Sequence, residues 1–180
     1  MPEARLIESD EGTTADSGGW FVVNLAGARA MAVSPFGMAA TFEPPGTRFP
    51  HFGINVHLLE PGEPNGVYHA ETAQEAFLVL SGECTLVVED TERRLGPWDF
   101  FHCPPGTEHV IVGAGEGPCV VLAVGSREHQ RGDDWGAYTV DETALRHGAG
   151  VREETSDREK AYSGAPQAEL TAYREGWLPA

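Results

Sequence analysis

The chain has 180 residues, and its 12 basic against 28 acidic residues give a formal net charge of −16 at pH 7. Such an acidic surface disfavours binding to nucleic-acid phosphates and to anionic membranes, and acidity also simply favours solubility. With 41% hydrophobic residues, the chain is long enough for one domain with a substantial core. Its 22 glycines and 13 prolines favour many short strands joined by tight turns.

The cysteine count and the N-terminus indicate the cellular setting. Three cysteines without a CxxC pair (Cys84, Cys103 and Cys119) predict neither a disulfide framework nor a zinc ribbon. Residues 1–10 lack the basic and apolar regions of a signal peptide, and no apolar run approaches membrane-spanning length. We therefore expect a cytoplasmic protein with no membrane or nucleic-acid partner.

Candidate strands follow one another through most of the chain. Residues 1–18 are polar and acidic, and we expect this segment to be flexible. Short runs rich in apolar and β-branched residues then predict strands at 20–24, 36–42, 53–59, 75–80, 84–89, 98–103, 109–112 and 118–124. Because no long helical pattern separates them, the chain is predicted to be all-β, with a barrel or sandwich architecture. Two hairpins are predicted, one through residues 81–83 and one across residues 113–117.

Two of these strands are apolar at nearly every position, namely Phe77–Leu80 and Val120–Val124. A strand with one face in water should alternate between apolar and polar residues, so both faces of these strands should be covered. One face would line the barrel interior. The other needs an outer layer from the N-terminal strands, the C-terminal tail or a second subunit.

The composition changes after Arg127. Residues 141–147 predict a short helix that is capped by Asp141 and stopped by Gly148. The remaining polar segment with spaced aromatic residues is expected to pack onto the barrel as an arm. We therefore divide the chain into a flexible N-terminal segment, a β-barrel domain and a C-terminal arm with a short helix: 1–18, 19–127 and 128–180.

Two histidines and two glutamates stand at spacings that can bring them together. His69 and Glu71 lie in a further segment that is predicted to be a β-strand, and as alternate residues they share a face. Glu75 begins the next strand, and His109 begins a third. Three neighbouring strands can therefore direct four ligands to one point.

The types of these side chains suit a divalent metal ion. Imidazoles with carboxylates favour Fe, Mn or Zn, while Ni or Cu is possible. Without a cation, Glu71 and Glu75 would be two carboxylates buried close together, which is costly. Glu71 is open to a second interpretation, as an acid or a base beside the metal instead of a tight ligand.

The same residues are similar to the two motifs of the cupin superfamily. They form the patterns His69-x-Glu71-x3-Glu75-x6-Gly82 and Pro104-x-Gly106-x2-His109. The resemblance covers roughly residues 53–125, and the wider sequence is similar to single-domain bacterial cupins. Glu71 stands where the first motif of the family has its second histidine. Trp98 and Gly113 replace the glycine and the asparagine at the two ends of the second motif.

The resemblance implies a fold and a ligand set. The fold would be a small antiparallel jelly-roll β-barrel, which in this family is often a homodimer. His69, Glu71, Glu75 and His109 fall on the four ligand positions of the family.

Several functions fit these observations. The first is a metalloenzyme acting on a small organic molecule, such as an oxygenase or an isomerase, with Glu71 as the candidate catalytic base. The second is a small-molecule binding or sensing module without catalysis, and the third is a metal-free structural barrel. No cationic clamp for phosphate is evident, because Arg93 and Arg94 flank a turn and should be exposed. His57 is expected to face solvent or to be hydrogen-bonded, with a place in the pocket as the alternative.

Overall fold

Two antiparallel β-sheets contain most of the regular structure. The computed structural model describes residues 1–127, 134–173 and 175–178. The strands are β1 (Leu6–Ile7), β2 (Thr14–Ala15), β3 (Ala30–Ala32), β4 (Met38–Thr41), β5 (Phe52–Leu59), β6 (His69–Glu71), β7 (Glu75–Ser81), β8 (Glu83–Val88), β9 (Thr91–Leu95), β10 (Phe100–Cys103), β11 (His109–Ala114), β12 (Cys119–Ser126), β13 (Gly136–Tyr138) and β14 (Glu169–Thr171). The α-helices of the described part are α1 (Glu142–Arg146) and α2 (Arg158–Ala161), and a short 3-10 helix spans Leu25–Gly27. None of these helices has the length and apolar character needed to cross a bilayer.

The strands β3 to β14 are arranged in a larger and a smaller sheet. The seven-stranded sheet has the order β10-β7-β12-β5-β4-β3-β14, and the five-stranded sheet has the order β13-β6-β11-β8-β9. Every pairing between these strands is antiparallel, which confirms the predicted all-β class. Among the described residues the two sheets are separate ladders, so closure into a continuous barrel stays a prediction.

The predicted hairpin through residues 81–83 is wrong, because β7 and β8 lie in different sheets. Ser81 at the end of β7 pairs with Val120, whereas Glu83 at the start of β8 pairs with Ala114. Gly82 makes this change of sheet with φ of +71°, and an added Cβ there would lie 2.3 Å from the Pro118 carbonyl oxygen. Gly82 therefore lies where the chain passes from one sheet to the other. The sequence pattern of a hairpin does not distinguish such a crossing from a turn within one sheet.

The second predicted hairpin, across residues 113–117, is also wrong. β11 pairs with β6 and β8, while β12 pairs with β5 and β7. The backbone of Gly113 is instead bonded to the segment that follows β5: its N–H donates to the Glu63 carbonyl, and its carbonyl accepts from the Gly62 N–H, both at 2.8 Å. The segment that follows β5 thus takes the backbone hydrogen bonds of Gly113 that a hairpin would have used.

Smaller differences from the prediction concern the first part of the chain and β10. In the predicted strand 20–24, Trp20 forms only an isolated bridge with Glu3. β10 begins at Phe100 and not at Trp98. Within residues 1–18, β1 and β2 pair as a small two-stranded sheet, so the segment has local structure, and its flexibility stays a prediction.

The core between the sheets and the cover on the outside account for the doubly apolar strands. Phe77, Val79 and Val121 point inward and belong to the cluster between the sheets. Their neighbours Leu80 and Leu122 point outward, as the period-two alternation of a strand requires. There they pack in a second cluster that includes Leu25, Met38, Trp177 and Leu178. The predicted outer layer is therefore supplied by both the N-terminal and the C-terminal parts of the chain.

The C-terminal segment adds one strand to each sheet and also packs on the sheets. Asp141 caps α1 as predicted, since its carboxylate accepts a hydrogen bond from the Ala144 N–H at 2.5 Å. Ala144 is buried against the outer face of the five-stranded sheet. β13 pairs with β6 and β14 pairs with β3, so this segment extends both sheets. The predicted start of the arm at 128 lies outside the described residues, and the division into domains stays a prediction.

The crossing at Gly82 generates a stability prediction. We expect Gly82→Ala to lower the free energy of unfolding by about 2 kcal/mol or more, because it adds both left-handed backbone strain and a clash with the Pro118 backbone. Gly62→Ala is the matched control: Gly62 has φ of +90° but nothing within 4 Å of an added Cβ, so strain alone should cost about 1 kcal/mol. Urea denaturation of both variants measures the difference, and equal losses would contradict the crowding at Gly82.

Candidate metal centre

Three strands bring an imidazole, a carboxyl group and a second imidazole to one place. His69 lies on β6 directly opposite His109, the first residue of β11. Glu75 is the first residue of β7 and lies opposite Cys103 of β10, in the other sheet. One ligand atom from each of His69, Glu75 and His109 lies within 4.8 Å of the other two. The centre is therefore formed where the two sheets face each other.

Hydrogen bonds orient both imidazole rings. The Nδ1 of His69 lies 2.7 Å from the Val67 carbonyl oxygen, and the Nδ1 of His109 lies 3.1 Å from the Thr107 carbonyl oxygen. A carbonyl can only accept, so we assign the ring proton to Nδ1 in both histidines. Each Nε2 then carries a lone pair, which is the form in which a histidine binds a metal ion.

Two buried polar atoms of the centre lack hydrogen-bond partners. The Oε2 of Glu75 and the Nε2 of His109 are both buried and form no hydrogen bond with the described part of the chain. They lie 3.6 Å apart, which is too long for a hydrogen bond between them. Buried polar groups are nearly always satisfied, so this pair indicates a missing partner at this point.

Burial also controls the protonation of the three side chains. It raises the pKa of Glu75 to about 8, with a further contribution from the negative charge of Glu71. Burial lowers the pKa of His109 to about 3, helped by the neighbouring His69, and burial likewise lowers the pKa of His69. At neutral pH the metal-free centre therefore holds two neutral imidazoles and a protonated carboxyl group.

This donor set fits a divalent cation. Two imidazole nitrogens and a carboxylate oxygen are ligands for divalent first-row metals. A cation would satisfy the unpartnered Nε2 of His109 and Oε2 of Glu75, and it would favour the ionised form of Glu75. The assignment of these residues as ligands stays a prediction, although their positions fit it.

Glu71 lies beside this group but does not complete it. Its Oε1 is 4.0 Å from the Nε2 of His69, and its carboxylate is not one of the three mutually close ligand atoms. Glu71 faces the same cavity as His69 and Glu75. Its predicted roles as fourth ligand and as base therefore both stay predictions.

Cys103 lies behind His109, with its Sγ 3.5 Å from the Nδ1 of the ring. Burial raises the pKa of the Cys103 thiol to about 12, and the charge of Glu75 adds to the effect. The thiol is therefore protonated at neutral pH and belongs to the core cluster between the sheets.

A cavity of about 660 Å³ opens from the metal centre. Phe77 and Ala123 form part of its wall, as does His57, so the place in the pocket is the correct alternative for this histidine. Burial lowers the pKa of His57 to about 4, which keeps its imidazole neutral at physiological pH. A cavity of this volume can enclose a small organic molecule.

The cavity has further residues that the sequence analysis missed. Its remaining wall includes three arginines and three aromatic residues: Arg48, Arg127, Arg158, Trp135, Tyr138 and Tyr162. Strand alternation could have identified Arg127, because it continues the inward face of Ala123 and Gly125. The aromatic residues and Arg158 come from beyond β12, and no motif in the sequence links them to the histidines. Arg93 and Arg94 are exposed, as predicted.

Comparison with known proteins identifies a domain within the chain. Residues 55–125 match the model of the cupin domain. No curated protein matches the sequence significantly. A sugar phosphate isomerase of the cupin superfamily from Silicibacter pomeroyi is 24% identical, with a TM-score of 0.52 over 60% of this chain and 76% of that one. The polyketide cyclase RemF from Streptomyces resistomycificus is 17% identical, with a TM-score of 0.53 over 62% of this chain and 82% of that one.

A provisionally named sugar phosphate isomerase from Acidithiobacillus ferrooxidans is 30% identical, with a TM-score of 0.47 over 57% of this chain. This chain spans 65% of the length of that protein. The domain match shows that the chain carries a cupin domain at residues 55–125, and the chain shares its fold with the two preceding proteins.

Proposed function

We propose that this protein binds one divalent metal ion through His69, Glu75 and His109, and that it acts on a small organic molecule in the adjoining cavity. The observation that carries the proposal is the pair of buried, unpartnered atoms on Glu75 and His109. Fe, Mn or Zn is favoured, because the donors are imidazole nitrogens and carboxylate oxygens. A bound metal of this kind supplies Lewis-acid or oxygen chemistry.

The residues around the centre suit an enzyme. Glu71 is the proposed base or fourth ligand, since its carboxylate faces the cavity next to His69. His57 is a neutral imidazole on the same cavity wall and can accept or donate a proton during a reaction. Phe77 and Ala123 form an apolar wall that partly encloses one side of the centre. The overall barrel closure expected of a jelly roll would complete this enclosure.

The fold does not determine which reaction the protein would catalyse. The two proteins of similar fold are named as a sugar phosphate isomerase and a polyketide cyclase, and one architecture commonly supports such different activities. Binding or sensing of a small molecule without catalysis is the second candidate, because the cavity is large enough to hold a ligand. Product formation or oxygen consumption with small acids, sugars and phenols distinguishes catalysis from binding or sensing alone.

Replacement of the two glutamates tests the metal centre. We expect Glu75→Ala to weaken metal binding by more than about a hundredfold, because it removes the central carboxylate. Glu71→Gln should weaken binding or activity by about tenfold or less, because Glu71 lies beside the three-atom group. Elemental analysis of each purified protein and calorimetric titration with Mn²⁺ or Zn²⁺ measure the effect.

Glu116→Ala is the control for these variants, because Glu116 is exposed in the turn between β11 and β12. It should retain full metal content. Full and equal metal retention in Glu75→Ala and Glu71→Gln would contradict the proposed centre.

The raised pKa of Glu75 predicts how metal affinity depends on pH. Below about pH 8 a cation must displace the proton of this carboxyl, so affinity should rise about tenfold per unit between about pH 6 and pH 8. The rise should level off above that range. His69 and His109 add no proton to this exchange, since burial lowers the pKa of each ring.

Calorimetry in two buffers of different ionisation enthalpy counts the protons released on binding. We expect a value near one at about pH 7 for the parent protein. An affinity that stays constant or falls across this range would show that Glu75 does not lose a proton to the metal.

We also propose that the protein is a homodimer in the cytoplasm. Trp98 and Phe100 leave large apolar side chains exposed at the edge of the seven-stranded sheet, where a second copy could cover them. Light scattering after size-exclusion chromatography should give twice the chain mass of 19.3 kDa. A mass of one chain at micromolar concentration would contradict the dimer.

A further inference from the structure

An aromatic wall extends through the cavity from the metal centre to its rim. The ring of Tyr138 lies 6.0 Å from that of His69, and Trp135 lies 4.9 Å from Tyr138. Tyr162 continues the wall, with its ring 5.8 Å from Tyr138. The guanidinium of Arg158 lies over the Tyr162 ring at 5.4 Å from its centre. The wall thus begins at a proposed metal ligand and ends at a positive charge.

Backbone contacts hold the rings of this wall in place. The indole N–H of Trp135 donates to the Ser156 carbonyl at 3.1 Å. The hydroxyl of Tyr162 accepts a hydrogen bond from the Val67 N–H at 3.3 Å, two residues before His69. Tyr138 pairs with His69 across the β13–β6 ladder. Rings that are ordered in this way lose little freedom when a flat ligand packs against them.

The positive charge at the end of the wall is not neutralised by a carboxylate of the described chain. Arg127, which also lines the cavity, bonds both carboxylate oxygens of Glu43 and the Phe49 carbonyl. In contrast, no carboxylate among residues 1–127, 134–173 and 175–178 lies within 4.0 Å of the Arg158 guanidinium. A guanidinium stacked over a ring keeps its in-plane N–H groups for a planar anion.

The two ends of the cavity therefore differ in charge. At the metal end, Glu71 and Glu75 supply the negative charge that offsets a divalent cation. At the rim, Arg158 supplies a cation whose partner is not in the described chain. A ligand with a carboxylate is attracted to the rim, and its body then lies along the aromatic wall toward the metal.

From this arrangement we infer that the protein binds a small aromatic carboxylate, with the ring against Trp135 and Tyr138 and the carboxylate on Arg158. This inference rests on the proposed function, because it names the class of molecule that would reach the metal centre. The end of the ligand that faces the metal is then the one opposite to its carboxylate. Arg158 is a specificity residue in this arrangement, and its substitution should change ligand affinity without changing metal content.

Three simple ligands separate the contributions of charge and ring. Benzoate has both, benzyl alcohol lacks the charge, and cyclohexanecarboxylate lacks the aromatic ring. Calorimetric titration of the metal-loaded protein should show the tightest binding for benzoate. In Arg158→Gln, we expect benzoate affinity to fall roughly tenfold and benzyl alcohol affinity to stay unchanged, because only benzoate uses the guanidinium. Arg158→Lys should recover part of the loss.

Arg152→Gln is the matched control, since Arg152 is exposed in the same segment and does not line this cavity. Its benzoate affinity should equal that of the parent protein. Metal content is measured in every sample, so a protein that takes up no metal contradicts the proposed function itself.

With metal bound, three results would overturn the inference about the ligand. One is no measurable benzoate binding, and another is equal benzoate affinity in the parent protein and Arg158→Gln. The third is equal affinity for benzoate and cyclohexanecarboxylate, which would remove the role of the aromatic wall. Loss of benzoate binding on metal removal but not in Arg158→Gln would place the carboxylate on the metal and would also overturn it.

Discussion

The buried carboxyl group of Glu75 beside the Nε2 of His109 is the constraint on which the rest of the molecule depends. Both atoms are withdrawn from water, and no described protein group bonds to them. An unsatisfied buried polar group costs about 1–3 kcal/mol, which is more than the net gain of an ordinary hydrogen bond. The burial raises the pKa of Glu75 and lowers that of His109, so both groups are neutral in the metal-free centre and form no ion pair. A bound divalent cation would favour the ionised carboxylate of Glu75 and would accept the lone pair of the imidazole.

The fold creates this constraint by bringing two sheets face to face. His69 and His109 lie on neighbouring strands of the smaller sheet, while Glu75 comes from the larger sheet. The chain moves between the sheets at Gly82, where an added Cβ would meet the Pro118 backbone. The apolar residues between the sheets, such as Phe77 and Val121, keep water from the far side of the centre. The proposed metal centre and the packing of the core are therefore consequences of the same arrangement.

Strand alternation and motif spacing were enough to predict the all-β class and to select His69, Glu75 and His109. They were not enough to predict strand pairing, and both expected hairpins proved wrong. A glycine that turns the chain within a sheet and one that carries it into another sheet have the same local sequence signal. Only the partners of Ser81 and Glu83, which are distant in sequence, separate the two cases.

The remainder of the site could not be predicted because it depends on contacts between distant segments. Trp135, Tyr138 and Tyr162 form one wall through tertiary packing, and no periodic pattern joins them. The outward-facing positions of β7 and β12 did indicate that a cover was needed. The C-terminal segment provides it with Trp177 and Leu178.

Anomalous diffraction from a crystal of the protein purified without chelator tests the central claim most directly. The account predicts one strong anomalous peak within bonding distance of the Nε2 atoms of His69 and His109 and an oxygen of Glu75. Data on both sides of the absorption edge would identify the element. Clear electron density for these three residues with no anomalous peak beside them, or a peak bound by other side chains, would contradict the account.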